Sequence, residues 1–102
     1  MKEAKECQSI REIREVIDKI DYQILKSFAL RNEYVEAIVK FKHDKHGIIA
    51  GERQVEVLQR RSKWAGELGL DPEVMKKIYK ILIDTNIQKE LEIFRNQEKV
   101  KM

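Results

Sequence analysis

Ser9-Ile10-Arg11-Glu12-Ile13-Arg14-Glu15-Val16-Ile17-Asp18-Lys19-Ile20-Asp21 opens a run that reaches Lys42 without a Gly or a Pro. Apolar residues recur along it at Ile10, Ile13, Ile17, Ile20, Ile24, Phe28, Val35, Ile38 and Phe41, mostly three or four positions apart. That is the period of one face of a helix, whereas a half-buried strand alternates every second residue. Isoleucine taken alone favours strands, but that preference is weaker than the periodicity. The beginning of the run carries a chemical mark as well. A Ser followed three residues later by Glu is a capping box, supplying oxygens to the first free N–H groups of a helix. The stretch predicts one helix over 9–42, about 50 Å long at the helical rise of ~1.5 Å per residue.

Outward from this helix, His43-Asp44-Lys45-His46-Gly47 breaks the pattern and is expected to be a mobile polar loop. A second helix is predicted from about Ala50 to Glu67, carrying Val55, Val57, Leu58, Trp64 and Ala65, with Gly66 and Gly69 marking its end. Asp71-Pro72-Glu73 restarts a helix, with Asp as N-cap, Pro at the first helical position and Glu at the positive end of the dipole. Its apolar residues are Val74, Ile78, Ile81, Leu82, Ile87, Leu91 and Phe94. This third helix is expected to fray after Arg95, leaving residues 1–8 and 96–102 as flexible tails. The chain is read as all-α, with three helices in a single domain over 1–102.

Composition agrees with that class. Among 102 residues, 21 Lys plus Arg face 18 Asp plus Glu, a net charge of only +3. Four Gly and one Pro are too few for a turn-rich β-sandwich or barrel. No apolar run exceeds three residues, far below the ~20 of a transmembrane helix, so no membrane association is expected. The first residues lack an apolar segment, so no signal peptide is expected either. Cys7 is the only cysteine, which fits a cytoplasmic location. Finally, a compact domain of this size has a radius of gyration of ~13 Å. Two shorter helices cannot cover a stripe as long as the first helix, so its remaining apolar surface should meet a second copy in an intertwined homodimer.

Several charged residues stand out. On one continuous helix Arg31 and Lys42 would point within roughly 20° of each other, ~16 Å apart along the axis. Two long side chains there can lean toward one small anion. Arg31 also borders the apolar stripe, between Phe28 and Val35, where a lone cation is unfavourable. Arg14 points roughly 100° away from Arg31, and in an intertwined dimer it would serve the other subunit's site. Glu90 occupies the stripe Ile83, Ile87, Glu90, Phe94. It is either the partner of a buried Arg or a hydrogen-bonding group facing the same pocket. Other motifs carry less. His43 and His46 have no further converging ligands, so no metal or cofactor is expected. Arg60-Arg61-Ser62-Lys63 lacks interleaved aromatics, so no nucleic-acid partner is expected. Cys7 has no nearby base, and Tyr22, Tyr34 and Tyr79 are assigned to packing.

With these residues in view, the sequence resembles the all-helical chorismate mutase family. Within it the likeness is greatest to the isochorismate pyruvate lyase branch, which makes salicylate for siderophores. The similar segments are Ile13 through Asp21, Arg31 with Tyr34-Val35, Phe41-Lys42, Glu52-Arg53, Trp64-Ala65 with Gly69-Leu70-Asp71, and the third helix through Phe94. The resemblance implies three helices per chain in an entwined dimer with two shared sites. It makes Arg14 of one chain, with Arg31, Lys42 and Arg53 of the other, the binding and catalytic cations, and assigns Val35, Gln54, Ile87 and Glu90 to the same site. Glu90 stands where the family usually has Gln. Gln54 and Ala50 stand where dedicated bacterial mutases carry acidic residues, which favours the lyase branch.

The chemistry suits this inventory. Chorismate and isochorismate each carry two carboxylates and an enolpyruvyl ether, and their reactions are pericyclic, needing no nucleophile, metal or cofactor. Negative charge grows on the ether oxygen in the transition state, and a preorganised donor there lowers the barrier. Lys42 is the residue expected at that oxygen, Glu90 beside it, and the loop from Lys42 to Ile49 is expected to close over the ligand. Two rivals remain: a dedicated chorismate mutase, and a non-catalytic helical dimerisation module in which Arg31 and Glu90 form a structural ion pair.

Overall fold

The fold was analysed in a computed structural model, which describes residues 2–42, 44, 47, 49 and 51–101. The expectations placed on His43, His46 and Ala50 lie outside the described residues. Among the described residues, helices α1 over Ile10–Ile38, α2 over Gly51–Glu67 and α3 over Pro72–Lys101 follow one another, and Gly47, expected in a polar loop, is helical, as is Ile49. Short 3-10 turns occupy Ala4–Glu6 and Val39–Phe41, and no strand occurs among the described residues. Among the described residues, no helix is long and apolar enough to cross a membrane. The chain forms two compact units, Met1–Tyr34 and Val35–Met102.

In the first unit, half of the predicted capping box forms as drawn. The Glu12 N–H donates to Ser9 Oγ at 3.1 Å, and the Ile13 N–H to the Ser9 carbonyl at 3.1 Å. The Glu12 carboxylate reaches one residue further back than a capping box requires. It accepts from the Gln8 N–H at 3.0 Å and from the Lys2 ammonium. That ammonium, and secondarily the Gln8 N–H, hold the Glu12 carboxyl below its ordinary value, while Glu12 raises Lys2 above its own. The apolar stripe of α1 lies open: no residue of the helix is buried, and Ile10 is 67% exposed. Ile13, Ile17, Ile20 and Ile24 are exposed with it.

The second unit holds the core. Helix α2 ends in a Schellman motif, with the Leu70 N–H on the Ala65 carbonyl at 2.8 Å and the Gly69 N–H on that of Gly66 at 3.2 Å. Gly69 takes φ +77°, a conformation that any Cβ would strain. Asp71 then caps α3, its Oδ1 accepting from the Glu73 N–H at 2.9 Å. Residues at similar distances from this turn meet: Gly66 faces the Pro72 ring, and the Arg61 guanidinium lies 5.7 Å from the Tyr79 ring. α2 and α3 are therefore an antiparallel hairpin. Its buried apolar residues include Val57, Ala65 and Ile83.

Two boundaries differ from the sequence expectation. The first helix stops at Ile38, and the chain passes through the Val39–Phe41 turn into an extended Lys42 (φ −91°, ψ 134°). The projection that aligned Arg31 with Lys42 on one helix face therefore does not hold. The cause is burial: Val39 is 1% exposed and packs with Phe94, against which Ile87, Leu91 and Ile93 also pack. At the other end α3 does not stop at Arg95 but continues to Lys101. Its last two turns are rich in Gln, Glu and Lys, good helix formers that propagate a helix already nucleated by the packed part of α3.

Candidate active site

Six of the eight residues singled out from the sequence belong to the second unit: Val35, Lys42, Arg53, Gln54, Ile87 and Glu90. Arg14 and Arg31 lie on α1 in the first, Arg14 exposed and Arg31 half-buried and already engaged by a neighbour.

Lys42 is positioned from its backbone outward. Its N–H donates to the Val39 carbonyl at 3.0 Å, closing the turn that Val39 anchors in the core. The partly buried ammonium donates from Nζ to the Gly47 carbonyl at 2.9 Å. The Gly47 N–H in turn donates to Asp44 Oδ1 at 2.9 Å. On the first turn of α2, Gln54 Nε2 donates to the Ile49 carbonyl at 2.5 Å. Gly47 and Ile49 are thus each tied to one of the two side chains expected to touch a ligand. Their donors rest on carbonyls of the chain itself.

Arg53, one residue before Gln54, is exposed and pairs with Glu56 on its own helix, Nη1 to Oε1 at 2.7 Å. Glu56 also faces Arg60 at 3.4 Å. This exposed pairing contributes little to stability, and it leaves Arg53 free to exchange its partner for a stronger, bidentate carboxylate.

Among the described residues of the second unit, Glu90 is the buried charged side chain. It is 7% exposed, on a stretch where Ile83 and Phe94 are also buried and Ile87 and Leu91 half-buried. A carboxyl in such a position is costly unless hydrogen-bonded, and Glu90 is engaged by a neighbour. The turn leading to Lys42 packs on this same segment of α3 through Val39. Val39 itself went unremarked in the sequence, although it lies four residues after Val35 and continues its helical face. The bonds to the carbonyls of Gly47 and Ile49 left no mark in the side-chain pattern at all.

Comparison with known proteins is consistent with this arrangement. The family model for chorismate mutase type II matches residues 13–91, a span that contains all eight of these residues. An isochorismate pyruvate lyase from Pseudomonas aeruginosa is 34% identical over 95 residues, covering 93% of this chain and 94% of that one. A chorismate mutase from Methanocaldococcus jannaschii is 35% identical over 97 residues, covering 90% and 97%. A T-protein from Haemophilus influenzae is 32% identical over 73 residues, 70% of this chain and 19% of that one. The buried Glu90, the anchored Lys42 and the helical scaffold that carries them thus lie inside a match over most of the chain, and the chain belongs to the type II chorismate mutase family of enzymes.

Proposed function

We propose that the protein is a cofactor-free, cytoplasmic pericyclic enzyme, one domain over its 102 residues, acting on isochorismate. It eliminates pyruvate to leave salicylate and rearranges chorismate to prephenate more slowly. The observation that carries the reading is the packing of the Lys42 turn, through Val39 and Phe94, on the α3 segment that bears buried Glu90. Two hydrogen-bonding groups on a shared apolar support can be aimed at one ether oxygen and kept from wandering, which is what a developing negative charge requires. The arginines Arg14, Arg31 and Arg53 supply planar forks for the two carboxylates and hold the ring in its reactive shape. Val35 and Ile87 offer apolar contact to the ring, and Gln54 a neutral donor and acceptor for its hydroxyl. Arg14 comes from a second copy of the chain, a role supported by the exposed apolar stripe of α1.

Elimination is placed ahead of rearrangement because Gln54 is not acidic and because Trp64-Ala65 and Gly69-Leu70-Asp71 follow the lyase pattern. Similarity to the Pseudomonas aeruginosa lyase over nearly the whole chain supports the same choice. A dedicated chorismate mutase is the second reading, favoured by the comparable similarity to the Methanocaldococcus jannaschii enzyme. Incubating the purified protein with each substrate separately decides between them. Salicylate fluorescence reports elimination, and loss of chorismate absorbance reports rearrangement. Faster turnover of chorismate would establish the mutase reading, and no turnover of either would leave a non-catalytic dimerisation module.

A further inference from the structure

Lys42, Asp44 and Gly47 form a relay of polar groups whose purpose is not exhausted by fixing the Gly47 backbone. The Asp44 carboxylate accepts from the Gly47 N–H at 2.9 Å, and the Gly47 carbonyl accepts from Lys42 Nζ at 2.9 Å. These two bonds involve the two peptide planes on either side of the Gly47 Cα, so together they restrict both of that residue's backbone torsions. The Lys42 stem runs across the same Cα: a Cβ built on Gly47 would lie 3.5 Å from Lys42 Cδ. At its other end Lys42 is held by its N–H on the Val39 carbonyl, within a turn whose first residue is buried.

A lysine side chain ordinarily samples many rotamers, and an ammonium left to sample them is a poorly aimed donor. Here the ammonium is aimed before any ligand arrives, by an acceptor whose own orientation depends on Asp44. The arrangement also spares Lys42 a direct contact with the carboxylate. A carboxylate on the ammonium would compete with an anionic ligand, whereas a neutral carbonyl releases it at lower cost.

We infer that Asp44 is a positioning residue for Lys42, acting through the Gly47 peptide to hold the ammonium where a substrate oxygen can take it over. This rests on the reading of Lys42 as the donor at the ether oxygen, but the coupling of Asp44 to Lys42 through Gly47 can be tested without it. Asp44→Ala removes the acceptor, and Asp44→Asn keeps the Oδ1 acceptor while removing the charge.

The first measurement is the rate at which an amine-acylating ester labels Lys42, read by mass spectrometry against Lys63 of the same molecule. Asp44→Ala should raise the relative labelling of Lys42 several-fold, and Asp44→Asn should leave it near the wild-type rate. Equal labelling in all three proteins, or equal increases in both variants, overturns the inference whether or not the protein turns over substrate. The second measurement is steady-state kinetics with the substrate that the wild type consumes. Asp44→Ala should lower kcat by about 10- to 100-fold, the scale of a slightly misplaced group, with a smaller change in KM. Asp44→Asn should recover most of the loss, and Asp44→Ala should cost nothing further in the Lys42→Ala background. An equal loss in both backgrounds would mean that Asp44 does not act through Lys42. Absence of turnover in the wild type would defeat the proposed reaction alone and leave the labelling result to decide the role of Asp44.

Discussion

Val39 and Phe94 pack against each other in the second unit, joining the turn three residues before Lys42 to the helix four residues after Glu90. One apolar contact thereby supports both groups assigned to the ether oxygen. Truncating Val39 to Ala removes buried methyl groups and leaves a small void, a loss of about 2 kcal/mol. Urea denaturation should show a lower midpoint with an unchanged slope. Because the turn loses its anchor, kcat should fall as well under conditions where the variant is fully folded. A variant that is less stable yet fully active would separate the anchor from the site.

Lys42→Ala is expected to lower turnover more than it weakens binding. An ammonium at the ether oxygen gains most when charge has developed there, whereas an arginine on a carboxylate meets nearly the same charge in both states. Removing one preorganised donor typically costs about 100- to 1000-fold in rate. An unchanged kcat with a raised KM would make Lys42 a carboxylate clamp instead.

Glu90 can donate a hydrogen bond only when protonated, since an ionised carboxylate accepts and never donates. Activity should therefore decline as pH rises through the point at which Glu90 ionises, and Glu90→Gln should flatten the decline by supplying a permanent N–H donor. The measurement is kcat against pH for both proteins, within the range where circular dichroism shows each to be folded. A Glu90→Gln variant inactive at every pH would assign Glu90 to a structural ion pair.

Sites shared between chains predict complementation. Arg14→Ala and Arg31→Ala variants, each impaired alone, should regain part of the activity when mixed, because a heterodimer contains one site with both arginines intact. Confirmed subunit exchange without recovery would place both arginines in a site made by one chain.

In the first unit, Glu12 and Lys2 give a pH signature of their own. The carboxyl is held below its ordinary value by the Lys2 ammonium, so the pair supports the folded N-terminus above the unfolded carboxyl's range. That support is lost as pH falls through the lowered value. Lys2 is raised above 10.5, so on the alkaline side the support persists through that value and is lost only above it. Carboxyl resonances followed by NMR should show Glu12 titrating below the ordinary glutamate value, and Lys2→Met should move it upward. An unmoved Glu12 would mean that the Gln8 N–H alone holds it.

How much of this was legible in the sequence depended on whether a boundary was set locally. The end of α2 at Gly69 and the start of α3 at Pro72 are written in residues whose backbone preferences act on the spot. The end of α1 is not: Ile38, Val39 and Lys40 include no helix breaker, and the turn goes with the packing of Val39 into a core built by residues more than forty positions away. The same distinction runs through the site. Glu90 could be picked out because a carboxyl interrupts an apolar stripe. Asp44 and the carbonyls of Gly47 and Ile49 could not, since a hydrogen bond to a main-chain atom leaves no trace in the pattern of side chains.

The left-handed Gly69 has a consequence for the order in which the chain folds. It lets four residues, Leu68 to Asp71, reverse direction between α2 and α3, so the partners nearest the turn, such as Gly66 and Pro72, are only a few residues apart. Closing so short a loop costs little entropy, and local contacts form early. The α2–α3 hairpin is therefore the natural nucleus, and the turn at Val39 docks on it afterwards. Gly69→Ala should slow refolding in stopped-flow experiments about in proportion to its loss of stability, whereas Val39→Ala should chiefly speed unfolding.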